Sequence, residues 1–170
     1  MIDIEGLATG PDATILTIAA QGFDPMGQGY FDNHQFYARI TLESQPSRSI
    51  EQSTIDWWAT QKESQAEAFA EEGRVDLDVA LQDLARIIRK SKLVWMNGPT
   101  YDATILENAY KSYDMALPWQ YWAIRDARTI YSLCPDLDRP VASHHALEDC
   151  RRQITMLQDA LSYLKVSQLR

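Results

Sequence analysis

The first six residues, Met1-Ile2-Asp3-Ile4-Glu5-Gly6, constrain this chain more than any other stretch. Residues i and i+2 of a strand share a face, so a strand here points Asp3 and Glu5 the same way out of an apolar frame. Two like charges on one face of a core strand repel each other and are costly to desolvate. A divalent cation is the usual remedy. Taken alone, the same residues also fit a frayed, solvated terminus. The partners that decide between the two must come from later in the chain.

A length of 170 residues fits a single domain, 1–170, with room for a sizeable core. The 45% hydrophobic share and five Trp argue for a folded chain. No apolar run approaches a membrane span, and the early charges leave no apolar region for a signal peptide. Cys134 and Cys150 lack zinc-knuckle or redox spacing and read as reduced and buried, which implies a cytoplasmic protein. The net charge of −8 is unusual for a protein that grips long nucleic acid through phosphates alone. Bound Mg²⁺ would invert the local field of an acid-rich site, so nucleic acid stays open as a substrate.

Gly10-Pro11-Asp12 turns into an apolar strand over 14–23, and Asp24-Pro25-Met26-Gly27 leads to a third, roughly Gln35 to Leu42. In that third strand Phe36, Ala38, Ile40 and Leu42 alternate with polar residues. Ser53-Thr54-Ile55-Asp56 has capping-box-like spacing and opens a helix carrying Trp57 and Trp58. A short helix follows near 65–72, then a longer one from Asp76 with an apolar stripe through Leu77, Leu81, Leu84 and Ile88. Leu93 to Met96 reads as a fourth strand, and Asp102 opens the next helix. A short strand near Ala123-Ile124, a helical turn over 129–133 and a final helix from about His145 to Val166 complete the order. Three antiparallel strands followed by helix–strand–helix–strand–helix predict an α/β fold with a mixed central β-sheet flanked by helices. That order sets the ends of strands one and four side by side, where Asp3, Glu5 and Asp102 can meet.

His144 and Asp149 add a second pair. Five residues along a continuous helix rotate the direction by about 140°, so their side chains diverge if both are helical. They converge only if His144 precedes the helix that holds Asp149. Ser143, a good N-cap residue, is the expected boundary.

These motifs, with His144-His145-Ala146-Leu147-Glu148-Asp149 as the last, resemble the DnaQ-like exonucleases of the DEDDh type. The likeness is greatest to the branch holding phage exonuclease A and 3′–5′ exoribonuclease-like proteins of actinobacteria and prophages. It rests also on Ser53 to Trp58, on Asn97-Gly98 leading to Tyr101-Asp102-x-Thr104-Ile105-Leu106, and on Arg125-Asp126-x-Arg128-Thr129. The resemblance implies a ribonuclease H-like fold and removal of nucleoside 5′-monophosphates from single-stranded RNA or DNA 3′ ends, RNA slightly favoured. It implies that Asp3, Glu5, Asp102 and Asp149 bind two Mg²⁺ or Mn²⁺ ions and that His144 is the general base. Hard divalent cations do prefer carboxylate oxygens, and a His with an ordinary pKa of about 6.5 can accept a proton near neutral pH.

Asp126 is expected to support the site rather than bind metal, and His145 to be a bystander. Trp57 and Trp58 project about 100° apart on a helix, so one is expected in the core and the other against a base. The family opening is commonly Asp-x-Glu-Thr; Gly6 stands at the Thr position, and Gly6 and Leu7 are expected beside the terminal nucleotide. Two rival functions remain: oligoribonuclease-like turnover of very short oligonucleotides, and a non-catalytic nucleic-acid-binding module. Similar proteins form homodimers, for which Tyr113, Trp119, Tyr121 and Trp122 are the expected surface.

Overall fold

The computed structural model describes residues 1–169. Five strands form one sheet: β1 (Ile2–Gly6), β2 (Ile15–Gln21), β3 (Gln35–Arg39), β4 (Val94–Met96) and β5 (Ile124–Asp126). Their order is β3-β2-β1-β4-β5. The first three strands pair antiparallel, while β4 joins β1 in parallel and β5 joins β4 in parallel. The helices are α1 (Gln52–Trp58), α2 (Lys62–Ala68), α3 (Leu77–Ile88), α4 (Pro99–Ser112), α5 (Ala127–Ser132) and α6 (Ala146–Tyr163).

Alternation along β1 sorts its residues between two cores. Ile2 and Ile4 join Leu77, Leu81 and Leu84 of α3 and Ile105, Leu106 and Ala109 of α4 on one face. On the other face α6 packs Cys150, Ile154, Leu157 and Leu161 with Ala127 and Tyr131 of α5. Strand β2 is buried along its whole length because helices cover both sides of the sheet. Its register slips opposite Glu5 and Gly6, where Thr17 and then Ile15 are the partners. The skipped Leu16 has no partner in β1, and its side chain packs in a third cluster with Leu7, Trp58 and Ala68. Cys134 and Cys150 are free and buried. Among the described residues no helix is long and apolar enough to cross a membrane.

Four local expectations need correction. The third strand ends at Arg39; Ile40 still donates its amide to the Leu16 carbonyl but otherwise makes an isolated bridge with Val75, and Leu42 is exposed. Ser53 lies inside α1 rather than capping it. Glu51 holds the cap position, and its carboxylate accepts hydrogen bonds from Thr9 instead. The last helix begins at Ala146 with His145 at the cap position; Ser143 lies two residues further out and accepts the His145 amide. Trp119 is buried against Tyr110, and Tyr113 is partly buried with its hydroxyl bonded to the Ser44 carbonyl. Only Tyr121 and Trp122 of the expected aromatic surface are exposed.

Candidate active site

The C-terminal ends of the parallel strands β1 and β4 face the first turns of α4 and α6. Asp3 and Glu5 point from β1 toward α6, where Gln153 donates its amide to Asp3 Oδ1 at 2.7 Å. Asp102 is the fourth residue of α4, behind a left-handed Gly98 cap and Pro99. It is buried, and its Oδ1 accepts the Ile4 amide at 3.2 Å, which ties α4 to the middle of β1. Asp149 lies in the first turn of α6 and is also buried. Its two oxygens accept the backbone amides of Ser143 (3.1 Å) and His144 (2.9 Å), and Arg152 Nε lies 2.9 Å from Oδ1.

His144 precedes the helix in a left-handed conformation, φ 56°. The turn brings its ring back over the first turn of α6. Ligand atoms from Glu5, His144 and Asp149 lie within 4.8 Å of one another. The divergence that a continuous helix would impose is thus avoided, as the five-residue spacing required.

Burial is the main influence on the acids. It pushes the Asp3 carboxyl up to about 7, assisted by the charge of Asp149 and opposed by the Gln153 hydrogen bond and Arg152. Burial raises Glu5 well above the usual carboxylate range, with Asp3, Asp149, Asp102 and Glu67 adding to it. Asp102 is raised by burial and then by Asp3. Carboxylates that desolvate and repel one another, with an imidazole nitrogen at their edge, form a donor set suited to a hard divalent cation. Among the described residues, Glu5, His144 and Asp149 are the group whose ligand atoms could hold such an ion; Asp3 and Asp102 lie outside that group, where they accept from Gln153 and from the Ile4 amide.

The two tryptophans divide as their spacing requires. Trp58 is 0% exposed and donates its indole N–H to the Gly6 carbonyl at 3.0 Å. Trp57 is 39% exposed and meets the His144 ring edge-on, 4.8 Å between centroids. Leu7 lies in the core rather than on an open surface: it is 3% exposed and packs beside Trp58, and its amide donates to the Thr14 carbonyl. Asp126 caps α5, with Oδ1 accepting the Arg128 amide and Oδ2 the Thr129 hydroxyl.

Gly6 has a steric cause. A β-carbon there would stand 2.9 Å from the Tyr101 hydroxyl and 3.0 Å from the Thr14 carbonyl oxygen. Tyr101 therefore occupies the space that a Thr side chain at position 6 would need. Its phenol is pushed up by burial and then by Glu5, Asp102 and Asp3, which places it at the edge of the acid cluster. Gly6→Ala is expected to destabilise the protein by about 1–3 kcal/mol, the range for overpacking. Adding Tyr101→Phe should recover part of that loss in urea unfolding; no recovery would mean that Thr14 alone sets the limit.

Sequence reasoning missed Gln153, Arg152, Tyr101 and Glu67 as neighbours of the site. Gln153 and Arg152 had a legible signal, since they follow Asp149 by four and three residues on one helix. Tyr101 stands next to Asp102 within one motif, but nothing in the chain pointed it at Gly6, and Glu67 had no signal.

A five-stranded mixed sheet with helices on both faces, and an acid cluster with a His at the strand ends, is a ribonuclease H-like nuclease architecture. The chain belongs to the 3′–5′ exoribonuclease Rv2179c-like domain family, which residues 1–161 match. An exodeoxyribonuclease of Enterobacteria phage T4 is 27% identical over 211 aligned positions, covering 96% of this chain and 88% of that protein. The crystal structure of cell-death related nuclease 4 (CRN-4) shares the fold, with a TM-score of 0.53 and 12% identity. That likeness covers 95% of this chain but only 63% of the nuclease.

Proposed function

We propose that this chain, as one exonuclease domain, is a metal-dependent DEDDh-type 3′–5′ exonuclease. It removes nucleoside 5′-monophosphates from single-stranded 3′ ends, with RNA preferred over DNA. The observation that carries the reading is the meeting of Glu5, His144 and Asp149 from a strand, a turn and a helix within 4.8 Å, beside half-buried Asp3 and buried Asp102. Two Mg²⁺ or Mn²⁺ ions held by Asp3, Glu5, Asp102 and Asp149 would supply Lewis-acid polarisation of the phosphate and acidify a water.

The remaining roles fall to this chain's own groups. His144 accepts the proton of the water that attacks the terminal phosphorus. An O–P bond forms, the bond to the 3′-oxygen of the penultimate nucleotide breaks, and that oxygen leaves to take up a proton. Trp57 offers a ring face to the terminal base beside His144, and Gly6 makes room for the Tyr101 hydroxyl at the edge of the acid cluster. The Asp149 carboxylate holds the Ser143 and His144 amides, so the proton acceptor and an acidic ligand share one support.

The test is release of mononucleotide from matched 3′-labelled RNA and DNA single strands with Mg²⁺ or Mn²⁺. Asp149→Ala should abolish release, and His144→Ala should lower the rate on the order of 10²–10⁴-fold, the range for general acid–base catalysis. Undiminished release by Asp149→Ala overturns the reading, and wild-type turnover by His144→Ala removes His144 from the base role. Net charge of −8 favours a second reading, turnover of very short oligonucleotides, since these need few phosphate contacts. A higher kcat/KM on dinucleotides than on long strands would select it.

A further inference from the structure

The turn that carries His144 is held from outside the acid cluster as well as from within it. Ser64 on α2 donates its hydroxyl to the Ser143 carbonyl at 2.7 Å. One helical turn on, Glu67 lies 4.0 Å from His145 Nε2. The His145 ring is stacked on Tyr37, with centroids 4.9 Å apart and planes 23° apart. The Tyr37 hydroxyl donates to Glu67, and Arg39 Nη1 lies 3.6 Å from the same carboxylate. Residues three apart on a helix share a face, so α2 reaches the turn at both of its ends.

His144 needs such support. A non-glycine residue with left-handed φ persists where its surroundings over-determine it. Beside these contacts a cavity of about 590 Å³ opens between α2 and residues 142–145. Loss of one anchor therefore leaves the turn room to relax. His145 is then not a bystander, although neither it nor Glu67 has a part in the proposed chemistry.

We infer that Glu67 is a positioning residue which, with Tyr37, holds His145 while Ser64 holds Ser143, and so aims the His144 ring at Glu5 and Asp149. The inference rests on the proposed role of His144. Glu67→Ala should lower kcat about 10–100-fold, the effect of a small misplacement of a reacting group, with KM changed less than about threefold. Glu67→Gln keeps an acceptor for Tyr37 and should restore most of the rate; were the charge of Glu67 felt at Glu5 the cause, Gln would behave like Ala.

In a His144→Ala background, Glu67→Ala should cost nothing further, because residues that act as a unit are non-additive. A second measurement is independent of turnover. Amide exchange at Ser143 and His144 in the metal-free protein should quicken on the order of tenfold in Glu67→Ala, while β1 amides stay as they were. Additive losses in the double variant, or unchanged exchange at both amides, overturn the inference. If His144→Ala turns over normally, the base role has failed, and the exchange rates still decide whether Glu67 holds the turn.

Discussion

Asp3→Asn is expected to lose mononucleotide release and yet raise the melting temperature of the metal-free protein at pH 8. The loss should be on the order of 10³-fold or more, as when one member of a catalytic constellation is removed. The gain follows from burial. With its carboxyl raised from 3.8 to about 7, Asp3 takes up a proton more readily in the folded chain than in the unfolded one. Stability from this group is fully present below the unfolded value and is lost as pH rises through the folded one. In full, that is on the order of 4 kcal/mol between pH 4 and pH 8.

Asn is neutral and keeps an acceptor for the Gln153 amide, so the variant should show a flatter pH–stability profile. Added Mn²⁺ should stabilise the wild type more than the variant, since a ligand that binds the native state raises its stability by mass action. Thermal melts at pH 5 and pH 8, with EDTA or Mn²⁺, decide the matter. A variant less stable than wild type by the same margin at both pH values would show that Asp3 is not held against its charge.

Trp57 and Trp58 should separate cleanly when each is replaced by Ala. Trp58→Ala should cost about 3–5 kcal/mol, the range for removing a large buried aromatic. It also leaves the Gly6 carbonyl without its donor at the end of β1. Trp57→Ala should leave stability within about 1 kcal/mol, since its ring is half-exposed. Its effect belongs to substrate: loss of a base-stacking face worth about 1–3 kcal/mol should raise KM roughly 5- to 150-fold. Urea unfolding and steady-state kinetics measure the two independently. An unchanged KM in Trp57→Ala would remove it from the nucleotide site, leaving it the ring contacts with His144 and Trp58.

Periodicity decided much of this protein in advance. Alternation in five residues put Asp3 and Glu5 on one face, and steps of three and four gave α3 and α6 their buried sides. The order of elements gave a mixed sheet, and the spacing of His144 and Asp149 required a turn before the last helix. Those inferences succeed because they depend on local geometry that repeats along the chain.

What pairs residues across the fold was not legible. The slip at Leu16 is a matter of register with β1, and an unbroken apolar run in β2 carries no mark of it. Ser53 and Ser143 look like caps, but a cap depends on where the helix begins, which packing decides. Trp119 reads as surface until α4 supplies Tyr110. Gly6 reads as a departure from a family pattern until Tyr101, nearly a hundred residues later, fills its space. Local periodicity tells which residues share a face. Which faces meet is settled by folding, because the contacts of Glu67 with His145 and of Tyr101 with Gly6 join segments far apart in the chain.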